Sequence, residues 1–234
     1  MNLRRYLQIK KYPSFFRRII KSVFEIFICM FFLPIKFGLN FWQLNKLIKL
    51  RRKELEIYYK EYIEQISGDY MAISLELATF LLVTCEILKP KNILDLGSGF
   101  SSFVFRYYQA RADIKPTVWS FDDNSEWLDK TKQFLSAHNL SVDNLIIWSS
   151  FSNYKNHRFD LISHDLGNMD LRKKTFEDAL SVLGHNGVLI LDDIHKYENF
   201  VRNFLQKTNC KYYNLKYYTK DKFNRYSFLV SESK

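Results

Sequence analysis

The chain has 234 residues, 47% of them apolar, enough to bury the core of one domain of ordinary size and to carry an extension. Its three cysteines, Cys29, Cys85 and Cys210, are far apart and no C-x-x-C occurs, which argues against a disulfide framework or a zinc site and for a reducing, cytoplasmic compartment. The net charge of +10 is unevenly spread: residues 1–60 carry 14 Lys/Arg against Glu25, Glu54 and Glu56, whereas residues 61–234 carry 21 Lys/Arg and 22 Asp/Glu. The N-terminal quarter therefore suits an anionic partner, a membrane surface or a nucleic acid, and the rest is nearly neutral.

Residues 1–21 interleave cations (Arg4, Arg5, Lys10, Lys11, Arg17, Arg18) with aromatics (Tyr6, Tyr12, Phe15, Phe16). Val23 to Ile35 is almost all apolar, but it falls short of the roughly 20 residues of a membrane span. It also holds Glu25 and meets Pro34 and Lys36, and it has no signal-peptide cleavage site. Trp42, Leu44, Leu47 and Ile48 then lead into Arg51, Arg52 and Lys53 as a basic amphipathic stretch. Three readings stay open for residues 1–60: a peripheral segment on the inner face of an anionic membrane, helices docked on the rest of the chain or on a second subunit, and a true span. A nucleic-acid partner is disfavoured because no recognised binding motif accompanies the charge. Glu54–Ile66 reads as a helix broken by Ser67-Gly68-Asp69. This divides the chain into a basic, aromatic-rich helical extension, residues 1–66, and a domain of residues 67–234. Ser74–Leu88 is a second apolar-periodic helix, stopped by Lys89-Pro90.

From Lys91 onward strands and helices alternate. The strands are expected at Asn92–Leu96, Thr117–Phe121, Leu145–Trp148, Asp160–His164, Gly187–Leu191, Lys211–Tyr218 and Tyr226–Val230. The helices are expected at Ser102–Ala110, Glu126–His138, Asp170–Leu183 and Glu198–Lys207, with a turn over Gly184–Gly187. The alternation predicts an α/β fold with a mainly parallel, seven-stranded, doubly wound sheet. Only the turn Asp221–Asn224 separates the last two strands, so they are expected to form an antiparallel hairpin.

The most informative stretch is Ile-Leu-Asp-Leu-Gly-Ser-Gly-Phe-Ser-Ser, Ile93–Ser102: an apolar strand, a glycine turn and a helix start, the layout of an adenosine-cofactor site. A dinucleotide fingerprint needs a third glycine where Ser102 stands. Asp95, two residues before Gly97, makes the stretch resemble motif I of the class I S-adenosylmethionine-dependent methyltransferases. That resemblance implies a Rossmann-like fold and cofactor contacts from Asp95, Gly97, Ser98, Gly99 and Ser101. Asp122, at the end of the second strand, suits the ribose hydroxyls, with Asp123 beside it. Capping of the next helix by Asp123, Asn124 or Ser125 is the plainer alternative for those neighbours. Ser150 and Phe151 fall where adenine should lie.

Asp165 ends the fourth strand and Asp192-Asp193 end the fifth, so neighbouring parallel strands would bring three carboxylates into one cleft. Such a group repels itself unless a cation joins it, and hard oxygen ligands favour Mg2+ or Mn2+. These positions resemble the metal-dependent O-methyltransferases of catechol and sugar type, in which the ion chelates two adjacent substrate oxygens. Ile194 stands where the catechol type has Asn. Asp193 is alternatively only a helix N-cap. His195 is the preferred general base, with Asp165 beside the reacting atoms; a surface role at the helix start is the plainer reading of His195. His164 should face the opposite side of its strand as packing. The expected reaction is methyl transfer to a hydroxyl of a sugar, glycan or small molecule. An NAD-dependent oxidoreductase and a non-catalytic S-adenosylmethionine-binding scaffold remain alternatives. The Asn/Asp-Pro-Pro-Tyr motif of amino-methylating enzymes is absent, and the sequence sets no oligomeric state.

Overall fold

The computed structural model describes residues 14–232. Helices α1 (Ser14–Lys36), α2 (Phe41–Gln65) and α3 (Leu75–Leu88) come first. Then follow β1 (Asn92–Leu96), α4 (Phe100–Arg111), β2 (Thr117–Asp122), α5 (Ser125–Ala137), β3 (Leu145–Ile147) and a 3₁₀ helix over Trp148–Tyr154. The chain continues as β4 (Phe159–His164), α6 (Met169–Ser181), β5 (Leu183–Leu191), α7 (Ile194–Leu205), β6 (Cys210–Asn214), α8 (Lys216–Thr219) and β7 (Phe228–Glu232). Short polar side chains start several helices. Ser74 caps α3, Asn124 caps α5 and Asn168 caps α6, each accepting from backbone N–H groups of the first turn.

The seven strands form one sheet in the order β3-β2-β1-β4-β5-β7-β6. β1 to β5 are mutually parallel, and β7 enters antiparallel between β5 and β6. The order reverses beside β1, and in such sheets ligands sit at the carboxyl ends of the strands flanking that point. Period-two alternation splits the core in two. Ile93 faces a cluster with Phe80, Phe100, Phe103 and Leu229, whereas Leu94 and Leu96 face one with Phe121, Ile162, Phe176 and Val201.

Two expectations are corrected. Gly184–Gly187 is not a turn before the fifth strand. It lies within β5 as a bulge: Phe159 pairs with Leu183, but Leu161 already pairs with Val188, so β5 spends extra residues without leaving β4. The expected strand Lys211–Tyr218 stops at Asn214, because Lys216–Thr219 coil into α8. The antiparallel pairing of the last two strands stands.

The N-terminal helices join the first core. Cys29, Leu33, Leu44, Leu55 and Tyr62 are buried in it with Phe80 and Phe100. Glu25, which interrupts the apolar run in sequence, lies 2.6 Å from Arg202 of α7 as an ion pair. Arg51 and Arg52 of α2 pair with Glu86 and Glu76 of α3, each at 2.8 Å. Among the described residues no single helix is long and apolar enough to cross a membrane; Val23–Lys36 and Phe41–Gln65 pass only together, and the chain bends 88° between them. On α1, Val23, Phe27, Phe31 and Ile35 form an exposed apolar stripe every four residues, continued by Phe32 and by Trp42 of α2. The expected contribution of Arg4, Arg5, Lys10 and Lys11 lies outside the described residues.

Candidate active site

The β1–α4 turn is fixed by its glycines. Gly97 has φ +101°, and a Cβ there would come 2.6 Å from the Asp165 carbonyl oxygen. Only glycine lets the turn press so closely on the end of β4. The Gly97 N–H donates to Phe121 O at 2.8 Å and the Asp165 N–H to Leu96 O at 2.6 Å, so β1, β2 and β4 end in register. A Cβ on Gly99 would lie 3.0 Å from the Tyr62 hydroxyl.

These ends open into a cleft of about 230 Å³. Of the residues expected to hold a cofactor, Gly97, Ser98, Gly99, Ser101, Asp122, Asp123 and Asp165 line it. The Asp122 carboxylate accepts from the Ser98 N–H at 2.7 Å, the Ser98 hydroxyl at 2.9 Å and the Asn124 N–H at 2.9 Å. Burial raises its pKa, and these hydrogen bonds oppose the shift. Asp123 lies against Gly167, whose φ of +55° lets the β4–α6 turn approach. Asn124, and not either aspartate, caps α5.

Asp95 and Ser150 do not reach the lining. Asp95 is fully buried behind the turn, where its Oδ2 accepts from the hydroxyls of Ser102 and Ser120 at 2.5 and 3.0 Å. Burial raises its pKa to about 6, opposed chiefly by the hydroxyls of Ser102 and Ser101. Ser102, the residue that breaks the dinucleotide pattern, thus ties α4 to β1, and Arg106 bonds Ser120 from behind at 2.8 Å. Ser150 sits in the 3₁₀ helix, where Phe151 stacks on Trp148. His164 is buried and bonded to Thr175 at 2.9 Å, as expected of a packing residue.

In the acidic half the expected metal ligands are engaged by side chains of the protein itself. Among the described residues no three His, Cys, Asp or Glu side chains are grouped so as to hold a metal ion. Asp165, Asp192 and Asp193 already have partners from the protein. Arg172 of α6 forms ion pairs with Asp165 and, at 3.4 Å, with Asp193. Lys196 Nζ lies 2.7 Å from Asp193, and the Ser227 hydroxyl donates to Asp192 at 3.0 Å. Burial raises the pKa of Asp165, with Arg172 the main opposing influence. Asp193 stands at the N-cap of α7, but in a left-handed conformation (φ 53°, ψ 29°), and its side chain makes no cap hydrogen bond; the carboxylate goes to the cations instead. His195 lies outside the cleft lining, with Nδ1 3.8 Å from Asp193 Oδ1. Burial lowers its pKa.

The cleft also uses residues the sequence reading did not single out: Tyr62 from α2, Trp127 from α5, and Arg172 and Gly167 from the β4–α6 region. Trp127 could have been suspected from its place in the first turn of α5; its indole N–H donates to Ser98 O at 2.6 Å. A larger depression of about 420 Å³ lies at the opposite edge of the sheet, by Lys91. Its principal charges, Arg51, Glu86 and Arg111, are occupied with one another, so it carries no comparable chemistry.

The overall fold agrees with a large group of solved structures. The chain has the fold of the class I S-adenosylmethionine-dependent methyltransferases. It superposes on the S-adenosylhomocysteine-bound methyltransferase PaMTH1 of Podospora anserina with a TM-score of 0.60 and 15% identity, over 77% of this chain and 88% of that one. It is similar to a Bacillus cereus O-methyltransferase in complex with S-adenosylhomocysteine (TM-score 0.59, 18% identity, 76% and 89% of the two chains). It is also similar to TomG of Streptomyces achromogenes, an O-methyltransferase of tomaymycin synthesis in complex with S-adenosylmethionine (TM-score 0.58, 11% identity, 79% and 87%). No protein-family model matches the chain, and no curated protein matches it.

Proposed function

We propose that this chain is an S-adenosylmethionine-dependent O-methyltransferase acting on a hydroxyl of a small molecule, sugar or glycan. The observation that carries the reading is the Gly97–Ser98–Gly99 turn, pressed on the end of β4 and held by Asp122, opening into the cleft. The residues fit the cofactor. Bare backbone at the turn admits its amino-acid end, and Asp122 with the unpaired Asp123 offers acceptors to two ribose hydroxyls. S-adenosylmethionine supplies the activated methyl group. Asp165, in the lining, would take the proton that an acceptor hydroxyl gives up on receiving that methyl group. His195 is less well placed for that task, being turned toward Asp193 outside the lining. Most of the acceleration then comes from alignment and exclusion of water. The test is calorimetry of the full chain with S-adenosylhomocysteine and with NAD. Saturable binding of the first alone supports the reading; binding of NAD alone overturns it.

The exposed stripe of α1 supports a location as well. Apolar Val23, Phe27, Phe31 and Ile35, next to a sequence rich in Lys and Arg, suit the headgroup boundary of an anionic membrane. Full-length protein should co-sediment with phosphatidylserine vesicles, and the Phe27→Ser/Phe31→Ser variant should not. Equal sedimentation of the two would remove the membrane role.

A further inference from the structure

We propose that Arg172 is the resident cation of the Asp165–Asp192–Asp193 cluster and that the chain takes no divalent metal there. The Asn168 cap starts α6 directly after the β4 turn, which sets Arg172 one turn into the helix and over the ends of β4 and β5. Its guanidinium pairs with Asp165 and Asp193, its Nε–H donates to Gly167 O at 3.3 Å, and its side chain is 9% exposed. Lys196 and Ser227 complete the set on Asp193 and Asp192. A guanidinium keeps its charge at any physiological pH, so a divalent ion among these carboxylates would meet a buried like charge.

The backbone adapts to this arrangement. Asp193 adopts the left-handed region, unfavourable for a residue with a Cβ, and forgoes capping α7. α7 is kinked at Tyr197 (φ −142°), and the Tyr197 hydroxyl and Asp193 Oδ1 are buried with no hydrogen-bond partner. Arg172 lines the cleft, donates to Gly167 O and Asp193, and is ion-paired with Asp165. If methyl transfer is the reaction, as read above, the acceptor need present only one oxygen, because no metal has to be chelated by an adjacent pair.

The experiment is Mn2+ binding to the full-length chain saturated with S-adenosylhomocysteine, followed by electron paramagnetic resonance of free Mn2+. The wild type should show no saturable site up to about 1 mM, the weak end of protein divalent sites. Arg172→Gln should gain a site, and adding Asp193→Asn to it should remove that site again. Saturable binding by the wild type that Asp193→Asn abolishes overturns the proposal. So does a folded Arg172→Gln that still binds no Mn2+. Should Arg172→Gln not fold, Arg172→Lys keeps the charge and should exclude Mn2+ like the wild type; saturable Mn2+ binding by folded Arg172→Lys also overturns the proposal. Any acceptor the chain methylates should be methylated equally fast in excess EDTA. Failure of the cofactor reading appears separately, as absent S-adenosylhomocysteine binding in calorimetry.

Discussion

The β1–β2 half of the cleft is built from near neighbours: Gly97, Ser98 and Gly99 form one turn, and Asp122 reaches back from the next strand to the Ser98 N–H. The β4–β5 half draws Asp165, Arg172, Asp193, Lys196 and Ser227 from five separate elements or turns and balances carboxylates against cations. The first half depends on shape, so one added methyl group is enough to spoil it. The second depends on charge, so it tolerates changes of shape and fails when its charges are no longer balanced. This contrast teaches that backbone shape constrains the glycine-turn side of the cleft more tightly than it constrains the charged side.

The largest expected effect is on the first half. Gly97→Ala combines a positive φ with a Cβ 2.6 Å from backbone, a strain of about 1–3 kcal/mol before the clash is counted. S-adenosylhomocysteine binding should become undetectable by calorimetry, with a lower melting temperature; a variant that binds normally would mean the turn has room to shift. Asp122→Ala comes next. It strands three donors, from Ser98 and Asn124, and removes hydrogen bonds to an ionised carboxylate, each worth about 1.5–3 kcal/mol. Affinity should fall about tenfold or more, and unchanged affinity would move the ribose contact to Asp123.

A third prediction concerns pH. Burial raises the Asp95 pKa to about 6, above its value near 3.9 in the unfolded chain, so folding favours the protonated form. The associated stability is present below pH about 4 and is lost as pH rises through 6, a change of roughly 2–3 kcal/mol. Asp95→Asn, which cannot ionise, should lack this loss, so denaturant titrations should show the variant gaining on the wild type between pH 4.5 and 7. A constant difference would mean that the surrounding hydroxyls hold Asp95 near its ordinary pKa. The smallest effect belongs to the rim of the charged half. Lys196 is partly exposed, so Lys196→Ala should change stability by less than about 1 kcal/mol and leave cofactor binding intact. A larger loss in chemical denaturation would show that Arg172 alone does not balance the cluster.

The glycine-turn half was legible because its determinants are local: glycines at fixed spacing, an apolar strand before them and an acid at the next strand end. The acidic residues were legible as well, since parallel strand ends converge. Their cation was not. Arg172 looks in sequence like any surface cation on an α6 helix rich in Lys and Asp, and only the packing of α6 over β4 and β5 buries it among carboxylates. Glu25 shows the same limit, reading as a flaw in an apolar segment until α1 and α7 bring it to Arg202.

The amino-acid sequence by itself determined the alternation of strands and helices, the glycine turn and the excess of positive charge near the N-terminus. Each of these is written in residues within a few positions of one another, where backbone freedom and side-chain period act directly. Tertiary structure alone decided that Asp95 stands behind the turn, that α2 lends Tyr62 to the cleft and that an arginine joins the acids where a metal was expected. The charge on a carboxylate is local, but what balances it depends on which distant side chain packing brings within about 3 Å, and the spacing of residues along the chain does not encode that distance.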